Sequence, residues 1–270
     1  MAAQSPLLPL MRLPVILSKS EMTKQHIISR QGVIYGVGLG PGAIDLMSVR
    51  ADKLIREAKN IAFFRKSGRR GHARQIAHPL LSNNVVEFAM EYPVTTEIPS
   101  TDPQYNYILS DFYKTCCSHI QSLSDTGEDV IILCEGDPFF YGSFMHIYTR
   151  IQDVCPVEIV PAITGMSAAW TATKMPITWG DDILTILMGT LDLTQLEMQL
   201  RDTDAAIIMK IGQNLGKIKQ ALRSTRRFDD AYIVEYAAMA NQTVQRLCDY
   251  DQEHAPYFSI VILHGQGRRP

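Results

Sequence analysis

Five cysteines, at positions 116, 117, 134, 155 and 248, form no Cys-x-x-Cys pair and no metal-ligand spacing, so nothing points to a disulfide framework or a structural metal. Seven scattered histidines make no His-Glu-x-x-His pattern, which removes the commonest zinc signature as well. This usage suits a reducing cytoplasm, and the adjacent Cys116 and Cys117 read as helix-packing residues. Charge is nearly balanced at a formal net of −2, which argues against a general nucleic-acid binder. Long apolar runs are also missing. Residues 1–31 carry leucines and other apolar residues broken by Pro6, Pro9 and Pro14, too interrupted to span a bilayer. No basic region precedes them and no clear cleavage site follows. They read as a disordered extension. Internal repeats and low-complexity tracts are absent, apart from a frayed tail expected over Gly265–Pro270.

What is present is organised around Val130–Gly142, VIILCEGDPFFYG. Val130, Ile131, Ile132 and Leu133 do not alternate with polar residues, the pattern of a central parallel strand covered on both faces. Ligands in open parallel sheets sit beyond the carboxyl ends of strands. Here that end offers Glu135, Gly136 and Asp137. A plain type I turn would use the same Asp and Pro.

A second glycine-rich strand end lies upstream, in GVIYGVGLGPG from Gly32 to Gly42. A dinucleotide fingerprint needs a glycine three residues after Gly38, but Pro41 stands there, and the next strand ends in Arg65 and Lys66 rather than an acid. A third strand end is VEIVPAITGMSAAW, Val157–Trp170, where Thr164 and Ser167 open a small-residue helix.

Taken in order, Ala51, Leu54, Ile55 and Ala58 mark an amphipathic helix that Ser48 can cap. Ile61–Phe64 is a short strand. Asp102 and Pro103 start a long helix with Tyr105, Ile108, Leu109, Phe112 and Cys116 on its core face. Alternating strand and helix implies a largely parallel sheet over residues 32–178. Lys174–Asp182 breaks both periodicities and marks a boundary. Beyond it, over 183–265, strands are expected at Ile183–Met188, Ala205–Ile211, Asp230–Tyr236, Thr243–Cys248 and Tyr257–Leu263. Helices fall near Thr194–Leu200 and Asn214–Arg223, and short final connections imply antiparallel pairing. The expected fold is therefore two α/β domains, mainly parallel in the first and mixed in the second.

The strand at Ile61–Phe64 delivers the most basic run in the chain, Arg65, Lys66, Arg69, Arg70, His72 and Arg74. It is either a solvated loop or an anion site, since guanidinium forks match carboxylates.

GVGLGPG, EGDPFFYG and EIVPAITGMSAA, in this order and spacing, resemble the tetrapyrrole (corrin and porphyrin) methylase family from about Gly32 to His264. Within it, FFRKSGRRGHAR and GDPFFYGSFMHI look most like the members that act on precorrin-2, with or without cobalt. The resemblance implies S-adenosylmethionine as methyl donor, an anionic tetrapyrrole substrate, a homodimer and an active-site cleft between the two domains. It carries cofactor contacts onto Pro41, Glu135, Gly136, Asp137, Phe140, Thr164, Gly165, Met188, Ala237 and Met239. Substrate contacts fall on Arg65, Lys66, Arg69, Arg70, Arg74 and Tyr141, and Asp137 is the candidate for catalysis, away from the sulfonium. Met188 and Met239 could equally be core methionines, and Thr164 a helix cap. A dinucleotide-dependent oxidoreductase and a noncatalytic tetrapyrrole or nucleic-acid binding module are the rival classes.

Overall fold

The computed structural model describes residues 30–267 apart from 96, 97 and 99–101, so the expectation for the first 29 residues lies outside it. The first sheet holds β1 (Ile34–Gly38), β2 (Asn60–Lys66), β3 (Val86–Tyr92), β4 (Val130–Cys134) and β5 (Val157–Val160) in the order β3-β2-β4-β1-β5. Every neighbouring pair is parallel. β4 is central and all five of its residues are buried, which is why its sequence shows no alternation. Ile132 and Cys134 enter a core with α3 (Pro103–Asp125) and α4 (Phe144–Ile151). Ile131 and Leu133 enter another with α1 (Val49–Glu57) and α2 (His72–Ala77). Each such side chain contributes roughly 1.5–3 kcal/mol of burial free energy.

Ser48 caps α1 by accepting the Ala51 N–H, and Asp102 caps α3 by accepting that of Gln104. The expected face of α3 packs into the core through Leu109, Phe112 and Cys116. Tyr113, Cys116, Cys117 and Ile120 are buried, and Leu109 and Phe112 are half-buried against the same cluster, with the Phe112 ring 5.3 Å from that of Tyr92 at the end of β3. Sequence periodicity had not marked β3. It is an edge strand whose apolar residues alternate with Glu87 and Glu91, and Val86 is 63% exposed, so it lacks the continuous run that betrays a central strand. The basic run is divided between the end of β2, a turn and α2.

The second sheet runs β6 (Leu184–Met188), β7 (Ala205–Met209), β10 (Ser259–Leu263), β8 (Ala231–Glu235), β9 (Thr243–Arg246). β6 and β7 pair in parallel and all other pairs are antiparallel. The last strand inserts at the centre, where all five of its residues are buried. α6 (Leu193–Arg201) and α7 (Leu215–Ser224) cover one face. α5 (Gly165–Ala172) covers the other, placing Ala169 among Ile207, Val234, Ile260 and Ile262. Since α5 follows β5, it joins the two sheets by packing as well as by chain. The expected fraying does not begin at Gly265: Gly265 donates to Ile177 O at 2.9 Å and Gly267 to Asp182 at 3.3 Å. Among the described residues, no helix is long and apolar enough to cross a membrane.

Strand direction fixes where a site can form. All five strands of the first sheet end at one edge, at Gly38, Lys66, Tyr92, Cys134 and Val160. β10 is antiparallel to both β7 and β8, so Met188, Met209 and Glu235 also end together, beside the start of β10.

Candidate active site

Three loops at the carboxyl edge of the first sheet are tied into one unit. Gly40 and Gly136 form an isolated bridge, with Gly136 N–H donating to Gly40 O at 3.0 Å. Gly38 is packed so closely that a Cβ there would lie 2.6 Å from Ala162 Cβ and 2.8 Å from Gly136 O. Gly136 differs: its φ is +66°, and a Cβ built there would meet nothing within 4 Å. One glycine seals the loops and the other opens onto free space, where a ligand can approach the backbone. Loops after β1 and β4 leave toward opposite faces of the sheet, the arrangement that places ligand sites in doubly wound folds.

Asp137 fastens this unit. One carboxylate oxygen accepts the Phe139 N–H at 2.9 Å, and the other accepts the Ala162 N–H at 3.0 Å. The carboxylate thus clamps its own turn to the loop after β5. Thr164 caps α5 by accepting the Ser167 N–H at 3.3 Å, and Gly165 opens the helix where an added Cβ would lie 4.0 Å from Ile260 Cδ1 of the second sheet.

Glu135 is the acid without a cation. It extends from β4 toward α2, whose start donates the Ala73 N–H to its carboxyl. Burial pushes its pKa up to about 7, and the Ala73 bond only partly opposes this. Among the described residues no Lys, Arg or His forms an ion pair with it. Tyr257, from the segment before β10, stands close enough to feel its charge. Tyr257 stacks on His72 of α2, with ring centres 5.6 Å apart and 8° between planes. Tyr257 is 75% exposed, with ring contacts to His72 and Phe258. Burial pushes its hydroxyl up, and Glu135 adds to that. Burial lowers the His72 pKa. At the same edge, Tyr92 shares a hydroxyl contact with Ser143.

From the second sheet, Met239 reaches the first loop: a Cβ at Gly42 would lie 2.6 Å from its methyl carbon. Lys210, directly after β7, places its ammonium 5.7 Å from the centre of the Tyr141 ring, a distance suited to cation–π attraction. Tyr141, Lys210, Tyr236 and Ala238 all hold φ between 51° and 62°. Four of the six non-glycine residues that hold positive φ among the described residues lie at these strand ends, Lys174 and Arg226 being the others, which fits the clustering of backbone strain at ligand sites. Ala237 lies between the last two, Met188 ends β6 in register with Met209, and Phe140 packs edge-on against Tyr141.

The basic run separates into two groups. Arg65 pairs with Glu91 at 2.9 Å, and Arg74 forks onto Glu87 at 2.8 and 2.6 Å. These two hold β3 to β2 and α2. Arg69 and Arg70 are exposed on the intervening turn and make no side-chain ion pair among the described residues, and Lys66 is exposed beside them.

Sequence reasoning missed Tyr92, Lys210 and Tyr257 as site residues. Lys210 carried a usable signal, a charge directly after the buried run AAIIM, as Glu135 does after VIILC. Among the described residues, no group of three His, Cys, Asp or Glu side chains could hold a metal ion. A cavity lined by Tyr35, Leu54, Lys59 and Asp129 lies at the opposite edge of the first sheet, where Asp129 already accepts the Val33 N–H.

Comparison with known proteins places this arrangement. A family model described as tetrapyrrole (corrin/porphyrin) methylases matches residues 33–247. The precorrin-2 C(20)-methyltransferase of a Sinorhizobium species is 41% identical over 239 residues, which is 88% of this chain and 98% of that protein. The cobalamin biosynthesis protein CobIJ of Mycobacterium tuberculosis is 40% identical over 90% of this chain but only 48% of its own length. The cobalt-precorrin-2 C(20)-methyltransferase of Salmonella typhimurium is 22% identical over 87% of this chain and 97% of that protein. Two solved structures share the fold. The methyltransferase CobJ aligns with a TM-score of 0.64 at 18% identity, over 88% of this chain and 96% of that one. The uroporphyrin-III C-methyl transferase of Thermus thermophilus, complexed with S-adenyl homocysteine, aligns at 0.59 and 18%, over 86% and 92%.

Proposed function

Because the chain belongs to the tetrapyrrole (corrin/porphyrin) methylase family, we propose that it transfers a methyl group from S-adenosylmethionine to carbon 20 of precorrin-2, as a step in cobalamin biosynthesis. The observation that carries this is the 41% identity spanning nearly the whole of the Sinorhizobium methyltransferase. Identity to the protein named for the cobalt form is about half as high, at 22%, which favours the metal-free macrocycle as substrate. A homodimer in the cytoplasm completes the reading, and sedimentation at micromolar protein tests the assembly.

The residues present fit the donor. Gly136 leaves backbone open to a ligand, the fastened glycine loops give that backbone a fixed shape, and Met239 and Lys210 bring the second sheet over it. The sulfonium of the donor supplies an already activated methyl group. This chain's task is therefore to position the reacting atoms at near-attack distance, roughly 3–3.5 Å, and to keep water out. Within this reading Pro41, Gly136, Phe140, Thr164, Gly165, Met188, Ala237 and Met239 line the donor's side of the cleft, while Arg69, Arg70, Lys66 and Tyr141 face the substrate's carboxylates. Arg65 and Arg74 brace β3 and α2 through their carboxylate partners.

Incubation with labelled donor and precorrin-2, cobalt-precorrin-2 or uroporphyrinogen III in parallel tests the assignment. One added methyl on precorrin-2 is expected, and transfer only to uroporphyrinogen would refute it. Replacing Arg69 and Arg70 together by Ala should weaken tetrapyrrole binding by about 1.5–3 kcal/mol per true anchor and leave donor affinity unchanged. Calorimetry with each ligand separates this from a general loss of folding, which would lower both affinities.

A further inference from the structure

Methylation of a ring carbon is incomplete until that carbon loses its hydrogen. The carbon–sulfur bond breaks with its pair going to sulfur, while a carbon–carbon bond forms from a π pair of the macrocycle, leaving one positive charge on the ring. The carbon–hydrogen bond must then break, its pair re-entering the π system, and the proton needs an acceptor.

Few acids at the carboxyl edge are available to take it. Asp137 has both oxygens on backbone N–H groups, and Glu91 is paired with Arg65. Glu135 stands beside the open space at Gly136, held by one N–H from Ala73 and by no cation among the described residues. The groups that interact with it are the Ala73 N–H from α2, Tyr257 from the segment before β10, and Cys134 on its own strand, while His72 of α2 stacks on the far partner, Tyr257. We infer that Glu135 is the proton acceptor that completes the methylation and then releases the proton to water, an assignment that rests on the methyltransferase reading above. An acid held near neutrality suits that duty, because a base works best with a pKa close to the working pH. Burial with no counter-cation supplies the condition here. The single Ala73 bond fixes the carboxyl's direction without quenching its basicity as an arginine would.

The test compares wild type, Glu135→Gln and Glu135→Asp by three measurements. Single-turnover formation of the deprotonated, methylated product is followed against pH, S-adenosylhomocysteine binding is measured by calorimetry, and glutamate carboxyls are titrated by carbon-13 NMR in the ligand-free protein. In the wild type a carboxyl should titrate at about 7, and the rate should fall as pH drops through the same range. Glu135→Gln should lose that resonance and that limb, slow turnover by roughly 100- to 10,000-fold, and accumulate a methylated, still protonated macrocycle with altered absorbance. Its affinity for S-adenosylhomocysteine should match the wild type, and Glu135→Asp should recover part of the rate. A Gln variant that keeps the wild-type rate and limb overturns the inference. So does one that mainly loses S-adenosylhomocysteine affinity, which would make Glu135 a donor ligand. Failure of the wild type to methylate any tetrapyrrole would remove the functional reading and this inference together, and is visible without the variants.

Discussion

Asp137→Asn is expected to lower the unfolding free energy by about 2 kcal/mol, within the 1–3 kcal/mol range for hydrogen bonds to charged groups and for stranded donors. Asn keeps the size and turn preference of Asp but offers one oxygen where the structure uses two. If that oxygen stays on the Phe139 N–H, the amide NH2 faces the Ala162 N–H, donor against donor. The clamp between the loops after β4 and β5 then opens. Gly136 and Thr164 lie on those loops, so donor affinity should fall along with stability. From sequence alone this residue could be a turn former, a donor contact or the catalytic residue, and the geometry supports the first in an extended form that spans two loops. Urea unfolding and S-adenosylhomocysteine calorimetry on the variant check it. Wild-type stability combined with a large loss of turnover would restore a direct chemical role.

Glu135→Gln should do the opposite to stability, and only at one end of the pH scale. The carboxyl titrates near 4.5 in the unfolded chain and at about 7 in the fold. Below 4.5 both states hold the proton and the fold has its full stability. As pH rises through this window the unfolded state loses its proton first, so stability falls by up to about 3 kcal/mol by pH 8. Gln cannot ionise and keeps an oxygen for the Ala73 N–H. The variant should therefore match the wild type near pH 4.5 and exceed it at pH 8, as shown by urea midpoints at the two pH values. A residue that costs stability where the protein works is the expected signature of a functional group. A variant less stable than wild type at both pH values would instead mean that the carboxylate's bond to the Ala73 N–H outweighs the cost of burying its charge.

The parts of this protein that were legible in its sequence are those set by local rules. VIILC declares a doubly covered strand because burial on both faces removes alternation. Ser48, Asp102 and Thr164 declare helix starts because an orphan N–H needs a nearby oxygen whatever the rest of the fold does. The order of three glycine-bearing strand ends pointed to the family before any contact was known. What local rules could not reach depends on groups far apart in the chain. β3 stayed hidden because an edge strand needs no continuous apolar run. Five basic residues in one run look alike until β3 brings Glu91 to Arg65 and Glu87 to Arg74, which leaves Arg69 and Arg70 on the exposed turn. Lys210 and Tyr257 become site residues only because β7 and the start of β10 share an edge that the second sheet turns toward Tyr141 and His72. Asp137 and Glu135, two residues apart, have different duties for the same reason. Backbone N–H groups from Phe139 and Ala162 take both oxygens of one, while the other is buried against a single N–H of α2 with no cation to hold its charge.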